Sequence, residues 1–405
     1  MKILIISQVY WPDSSSVSQH LSDLALALAN RKHDIFVLSS RYAYENPQIC
    51  FKPKENYNNI NIKRINQSQF SKESILGRLL NFITFNLFLA IKLLKINKND
   101  FDIIIGTTVP PLGSFLGVFF SKIKKIPFCF WAMDIQPELS IAAGYIKESS
   151  VITNILYKIG VFIIKNSKLI ITLDRYMAEY ILKKGGNKQN VKIIPVWPVM
   201  NEVYNGKRMD NPFRKYNNFN NKVVVMYSGN HAVVHPLNTI LEAAKKLKYD
   251  DKFLFVFIGG GVRKKDVVKF NEENKLNNIL SLPYQDRDTI HLSLGAADIH
   301  IVIHGNGCTG FTHPNKIYGA MFIGKPILYV GPSQSHIADI LNNIKGNILV
   351  QHGEVDLLVK ELISFSEKGE IEWNKIGMNN MEYARKNLMP DKLINDIITN
   401  IENLN

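Results

Sequence analysis

A glycine run behind an apolar strand is the first place to look for chemistry in this chain: FVFIGGG, residues 255–261, is followed by Arg263, Lys264 and Lys265. Glycines let backbone amides approach a phosphate, and nearby cations neutralise it. The spacing is neither the dinucleotide GxGxxG nor the GxxxxGK[ST] loop. Gly259 and Gly260 with Arg263 and Lys264 therefore read either as a phosphate cradle or as a strand exit with solvated lysines. YSGN at 227–230 repeats the logic through Ser228, Gly229 and Asn230, with a turn capped by Asn230 itself as the plainer reading. A third candidate is GNGCTGFTHPNKIYGAMFIGKP, 305–326. There Gly310, Phe311 and Thr312 lead through Asn315 and Lys316 into a helix whose first amides suit an anion. Lys316 either adds charge to that site or is an exposed first-turn lysine.

The first half offers hydroxyls and carboxylates instead. WPDSSS at 11–16 brings Ser15 and Ser16, and FWAMDIQPELS at 130–140 brings Asp134 and Glu138. Ser14 to Ser16 suit a helix cap. Asp134 and Glu138 either orient acceptor hydroxyls or cap the next helix, and Pro137 between them leaves no assured helical register. A glycosidase acid–base pair needs a separation that sequence does not supply. His304 and His313 flank the third glycine loop without a further clustered ligand, so hydrogen bonding is favoured and no metal site is expected. GxSxG, HExxH and a Cys/His nucleophile pair are all missing, which leaves hydrolase chemistry without a motif.

These residues need strands and helices to hold them. MKILIISQVY is followed by apolar positions Val17, Leu21, Leu24 and Leu28 at helical spacing, so strand, loop and helix follow in order. DIFVLSS at 34–40, FDIIIGTT at 101–108, PFCFWAMD at 127–134, SKLIITLD at 167–174 and VKIIPV at 191–196 extend the pattern. Fully apolar strands between helical segments predict mostly parallel sheets buried on both faces. Residues 1–196 thus read as one domain, and polar, asparagine-rich 197–221 as a linker. A second set runs from VVVMYSGN at 223–230 through 252–261, 278–284, 297–303 and 326–331 to GNILV at 346–350, giving a second domain over 222–385. The fold class is α/β: two Rossmann-like doubly wound domains facing across a cleft, with ligands beyond the C-terminal strand ends. Pro390 is expected to divide the last helical region, so 386–405 either crosses to the first domain or caps the second.

Length and composition agree. At 405 residues, 46% hydrophobic and 21% charged, the chain suits two ordinary globular cores. A net charge of +14 favours an anionic partner without choosing among nucleotide, phospholipid and nucleic acid. The lysines are dispersed and no aromatic-basic motif emerges, which disfavours nucleic acid. Cys50, Cys129 and Cys308 form no paired framework, as in a reducing compartment. Residues 1–6 read as a strand rather than a signal peptide, so a cytoplasmic protein is expected. RLLNFITFNLFLAIKLLK at 78–95, with Arg78, Lys92 and Lys95 near its ends, predicts either a packed helix or one resting on an anionic bilayer.

Taken together, PDSSSVSQHLSDLALALANRKHDIFVLSS at 12–40, MDIQPELSIAAG at 133–144, YSGN at 227–230, LPYQDRDTIHLSLGAADIHIV at 282–302 and HPNKIYGAMFIGKPILYVGP at 313–332 resemble bacterial family 4 glycosyltransferases of GT-B fold. The resemblance spans nearly the whole chain and leans toward enzymes building O-antigen, capsule or exopolysaccharide. It implies a retaining hexosyl- or N-acetylhexosaminyltransferase that moves a sugar from a UDP-sugar in the second domain to a lipid-linked acceptor in the first. No cofactor is implied beyond that donor substrate, and the place implied is the inner membrane face. Arg263 and Lys264 would stabilise the leaving diphosphate, Gly310 and Lys316 would support the phosphates, and Asp134 would orient hydroxyls. The family commonly carries two glutamates eight positions apart; here Phe311 and Gly319 occupy them. That departure keeps a non-catalytic nucleotide-sugar binder and a UDP-sugar epimerase open as alternatives.

Overall fold

The computed structural model describes residues 1–13, 15–43, 48–70, 75–199 and 202–404. It divides into two compact units: Met1–Val196 with Gly310–Thr312 and Pro390–Asn405, and Trp197–Thr309 with His313–Met389. Both are α/β with a parallel sheet at the centre.

In the first unit the strands are β1 (Lys2–Ile6), β2 (Asp34–Ser40), β3 (Lys54–Tyr57), β4 (Ile60–Ile65), β5 (Ile103–Thr107), β6 (Phe128–Ala132), β7 (Leu169–Thr172) and β8 (Val191–Ile193). Their order across the sheet is β3-β4-β2-β1-β5-β6-β7-β8, all parallel except the β3–β4 pair. The central strands are β-branched or aromatic runs with helices to cover them, and every residue of β5 and β6 is buried. The β3–β4 hairpin turns at Asn58 and Asn59, both at positive φ (49° and 64°), as a two-residue primed turn requires. Helices α1 (Ser16–Asn30), α2 (Ile75–Leu94), α3 (Pro111–Lys124), α4 (Glu138–Ala142), α5 (Val151–Asn166) and α6 (Arg175–Lys183) connect them. Proline occupies the first position of α3. Ser150 caps α5 by accepting from the Thr153 amide, and Asp174 caps α6 by accepting from Met177.

Helix α3 packs against α2 and against α5, and the three bury Phe85, Leu89, Val118, Ile163 and Ile164 in one cluster with Leu4, Ile104 and Phe128 of the sheet. Their outer faces remain apolar: Leu87 is 56% exposed, Ile123 56% and Ile152 62%. No helix among the described residues is long and apolar enough to cross a membrane.

The second unit opens with α7 (Pro212–Tyr216), then alternates β9 (Val223–Ser228), α8 (Asn238–Lys246), β10 (Phe253–Ile258), α9 (Lys264–Asn274), β11 (Ile279–Leu282), α10 (Ile290–Gly295), β12 (Ile299–Ile303), α11 (Lys316–Phe322), β13 (Ile327–Val330), α12 (His336–Leu341), β14 (Ile348–Val350) and α13 (Val355–Asn387). The sheet order β11-β10-β9-β12-β13-β14 reverses between β9 and β12, the switch point where open α/β sheets bind ligands. Within α13 the backbone leaves helical geometry at Gly369 (φ 76°).

Residues 197–221, which read as a linker from composition, lie in this second unit. Arg208 and Arg214 hold them there: both guanidinium groups donate to the buried carboxylate of Asp298, at 2.6 and 3.2 Å. The Val224 amide donates to the same carboxylate at 2.8 Å, which ties the segment to the start of β9. Pro390 begins α14 (Pro390–Glu402), with two residues between it and the end of α13. α14 belongs to the first unit, where Glu402 accepts from Arg31 at 3.1 Å and bonds His33 at 2.9 Å.

Candidate functional site

The second unit gathers its polar groups where β9 and β10 end. Ser228 closes β9 opposite Ile258 of β10, and the chain turns at Gly229 (φ +124°) and Gly259 (φ +129°). Neither position tolerates a side chain. A Cβ on Gly229 would lie 2.6 Å from Cε of Lys316, and one on Gly259 would strike the Gly229 carbonyl. The glycines thus bring two strand exits and a lysine stem closer than any other residue allows. Backbone bonds lock the turns: the Gly229 amide donates to Ile258 at 2.9 Å, that of His231 to Gly260 at 2.7 Å and that of Arg263 to His231 at 3.0 Å.

Lys316, the first residue of α11, reaches into this corner. Its Nζ donates to the Asn230 carbonyl at 3.2 Å and lies 5.1 Å from the centre of the Tyr227 ring. The residue is half-buried, its bond to Asn230 lies at an exposed position, and the packing around it pushes its pKa down to about 8. An ammonium with one carbonyl partner, held in low dielectric at a switch point, is poised for an anion.

The neighbouring cations are more fully engaged. Lys264 donates to the carbonyls of Gly259 at 2.7 Å and Leu282 at 2.8 Å, pinning the ends of β10 and β11. Arg263 donates through Nε to Val233 at 2.8 Å and approaches Asp266 at 3.4 Å. Asn315 sits at the N-cap of α11 without capping it through its side chain. Gly310, Phe311 and Thr312, expected beside the phosphates, fall in the first unit. There the Phe311 carbonyl accepts from the Ile135 amide at 2.8 Å and its ring meets Tyr180 edge-on.

Two further residues join the corner: His231, which next to Asn230 is from sequence a candidate to hydrogen-bond a ligand, and Tyr284, which is not. His231 is fully buried; its Nδ1 bonds the Gly260 carbonyl at 3.0 Å, and its Nε2 has no hydrogen-bond partner among the described residues. Burial lowers its pKa to about 4, so the ring is neutral, donates from Nδ1 and leaves Nε2 as an acceptor. Tyr284, half-exposed just past β11, lays its ring against Gly259 and Gly260. Its position at the end of NILSLPY was legible as a strand exit; its approach to the glycines was not. His313 bonds the Tyr318 hydroxyl at 2.6 Å, and that hydroxyl bonds His336 at 2.6 Å.

In the first unit, Asp134 leaves β6 and lines a pocket of about 480 Å³, open mouth included, walled mostly by apolar side chains of α3, β6 and α5. Glu138 begins α4 and is 6% exposed; neither carboxylate oxygen has a hydrogen-bond partner among the described residues, and Lys184 Nζ stands 3.9 Å away. Desolvation pushes its pKa up, against the opposing pull of Lys184. Ser15 holds the N-cap position of α1, yet its hydroxyl makes no cap bond, while its amide donates to Asp13 at 2.9 Å. Ser16 is exposed beside it, and Ser14 lies outside the described residues.

Comparison with known proteins agrees with this geometry. Residues 209–385 match the family Glycosyl transferases group 1. WbjE of Pseudomonas aeruginosa, described as a probable glycosyltransferase, is 27% identical over 212 residues, and the match spans only 52% of each chain. WcaI of Escherichia coli (strain K12), described as a glycosyl transferase of colanic acid biosynthesis, is 22% identical over 89% of this chain and 90% of its own. Among solved structures, Anabaena Alr3699/HepE in complex with UDP superposes with a TM-score of 0.73 at 15% identity over the whole of both chains. WaaG, a glycosyltransferase of lipopolysaccharide biosynthesis, gives 0.68 at 13% identity over 98% of this chain and 99% of its own. The two parallel-sheet units are those of the GT-B fold, and, apart from Gly310–Thr312, the match to Glycosyl transferases group 1 lies within the second of them.

Proposed function

We propose that the protein is a retaining glycosyltransferase that moves a sugar from a UDP-sugar to a lipid-linked saccharide of the undecaprenyl-diphosphate type, in the assembly of a surface polysaccharide such as O-antigen or capsule. The observation that carries this reading is the Lys316 ammonium held at the glycine turns of β9 and β10, within the group 1 match.

In the reaction, the bond between the anomeric carbon and the diphosphate oxygen breaks, and UDP leaves with the electron pair. The acceptor hydroxyl attacks from the same face and gives its proton to the departing phosphate oxygen. Negative charge grows on the diphosphate, so a preorganised cation stabilises the transition state more than the ground state. Lys316 is that cation, assisted by Arg263, while Lys264 braces the turn and the scheme needs no metal. Gly229, Asn230, Gly259 and Gly260 supply the close backbone, His231 offers an acceptor nitrogen, and Tyr284 offers a ring face for the uracil. Asp134 orients a hydroxyl of the acceptor.

The acceptor's lipid places the enzyme on the inner membrane face as a peripheral protein. Helices α2, α3 and α5 contain no aspartate or glutamate, whereas they hold Arg78, Lys92, Lys122, Lys124, Lys158 and Lys165. Apolar side chains on helices whose own charges are all basic suit an anionic bilayer.

The deciding assay incubates the purified protein with a panel of UDP-sugars and lipid-diphosphate acceptors and follows UDP release and product mass. An acceptor mass increase of one sugar with matching UDP is expected. UDP binding without transfer to any acceptor supports the binder reading that Phe311 and Gly319 raise, and an isomerised sugar formed without acceptor supports an epimerase.

A further inference from the structure

His235, in the loop between β9 and α8, is joined to Lys316 by a chain of hydrogen bonds. Its Nδ1 lies 3.0 Å from the Tyr227 hydroxyl and 3.4 Å from the Asn230 carbonyl. The Tyr227 hydroxyl donates to that carbonyl at 2.8 Å, and Lys316 Nζ donates to it at 3.2 Å. A phenol has one proton to give, and here it goes to Asn230, so the hydrogen between His235 and the phenol oxygen sits on Nδ1. Burial holds the His235 pKa well below the usual histidine value, and the charge of Lys316 acts in the same direction. The ring is therefore neutral, and the bonds run in one sense from His235 to Tyr227 to Asn230.

The carbonyl at the end of this chain belongs to a peptide beyond the strand. β9 ends at Ser228, and Gly229 follows at φ +124°. The His231 amide of the same peptide donates to Gly260 at 2.7 Å, which anchors the nitrogen side and leaves the oxygen side to be fixed by something else. Tyr227 fixes it from a fully buried position, with its ring centre 5.1 Å from Lys316 Nζ. The oxygen has two lone pairs, and Tyr227 and Lys316 share them. Such a carbonyl is set in direction yet only partly available to the ammonium, which keeps Lys316 in place and ready to turn to an anion. His231, His304, Lys264 and Tyr284 are the other ionisable groups that face this cluster.

We propose that His235 is a positioning residue for Lys316, acting through the Tyr227 hydroxyl and the Asn230 carbonyl. Its consequence for diphosphate binding rests on the nucleotide-sugar reading above, whereas the positioning itself is a property of the free protein.

The test reads Lys316 first without any ligand. Labelling of the full-length protein with acetic anhydride, quantified at Lys316 by peptide mass, follows the free amine, with a midpoint expected near pH 8 in the wild type. Tyr227→Phe keeps the ring beside the ammonium and removes only the hydroxyl. The carbonyl then turns away and releases the ammonium to water, or offers Lys316 both lone pairs. Either change favours the charged form, so the midpoint rises by roughly one pH unit. His235→Ala moves it the same way by less, and His235→Asn, whose amide N–H takes the place of Nδ1–H, restores it. If Tyr227→Phe does not fold, the two variants of half-buried His235 decide alone. Calorimetry then compares UDP with uridine: Tyr227→Phe and His235→Ala weaken UDP about fivefold, as for one lost hydrogen bond, and leave uridine unchanged. A midpoint that stays in place in the folded variants, or that His235→Asn fails to restore, overturns the positioning role. A midpoint that moves while UDP affinity does not keeps the positioning role and removes the diphosphate site of the preceding reading.

Discussion

Two buried carboxylates, Asp298 in the second unit and Glu138 in the first, are handled in opposite ways. In the second, Asp298 is closed by two guanidinium groups and an amide, and Lys264 by two carbonyls. Lys316, by contrast, makes a single bond at 3.2 Å and keeps donors to spare. In the first, Glu138 is buried with both carboxylate oxygens lacking hydrogen bonds and a lysine 3.9 Å off, beside a pocket with few polar atoms. Saturated charges are scaffold, because every partner they need is already in place. An under-satisfied charge is held there at a cost in stability, and a ligand can supply what is missing. The same topological position, the C-terminal strand ends, thus carries an under-engaged ammonium in one unit and a small, mostly apolar hollow in the other.

The sharpest way to break this contrast is Asp298→Ala. It strands two buried guanidinium groups and releases residues 208–214 from the sheet, so a loss of about 3–5 kcal/mol is expected in denaturant unfolding. A loss below ~1 kcal/mol would mean that the network is not scaffold. Lys316→Met comes next. A charge-assisted bond contributes about 1.5–3 kcal/mol, so UDP affinity by calorimetry should fall roughly 10- to 100-fold with the melting temperature unchanged. Since the pKa of Lys316 is lowered to about 8, wild-type affinity should weaken as pH rises through that value, where the ammonium loses its proton. Lys316→Met should lack that dependence, and an equal slope in both proteins would assign it to another group.

Much of this was legible beforehand and some was not, for physical reasons. The parallel strands announced themselves as apolar runs with glycine exits, from IIIGT in β5 to FVFIGGG in β10, because burial on both faces leaves no room for polar alternation. The β3–β4 hairpin was missed although YNNIN carries its turn, since an edge hairpin buries one face and gives only a short alternating pattern. Arg208 and Arg214 disappeared into a polar segment that composition alone reads as linker; their partner Asp298 is far along the chain. Gly229 and Gly259 were readable as close-approach positions, but not that Lys316 rather than Lys264 brings the less engaged ammonium to them. That distinction depends on which carbonyls the fold places within 3 Å. The apolar hollow under Asp134 had no sequence signal at all, because Leu156, Ile159 and Ile163 look like any packed helix face.

The exposed apolar stripe of the first unit gives a smaller effect. Leu87 and Ile91 of α2 are 56% and 40% exposed, so Leu87→Glu with Ile91→Glu should leave unfolding unaltered. Cosedimentation with vesicles rich in phosphatidylglycerol should drop by about tenfold, since apolar insertion and lysine attraction are opposed together. Equal retention on neutral phosphatidylcholine would show that charge plays no part.

Glu138→Gln has the smallest expected effect and addresses the contrast most directly. Desolvation of its carboxylate outweighs the pull of its own backbone amide and of Lys184, so its folded pKa is raised above the unfolded value. Such a group destabilises the fold when ionised and ceases to do so as pH falls through the folded pKa toward the unfolded one. The neutral amide should therefore stabilise the protein at pH 7, on the order of 1 kcal/mol, and Lys184, about one-third exposed at its side chain, keeps its hydration without the partner. The gain should shrink on acidification, because wild type then becomes neutral at this position too. A variant less stable than wild type at pH 7 would show that the Glu138–Lys184 attraction outweighs desolvation, and the first unit would then hold its buried charge as the second does, by pairing.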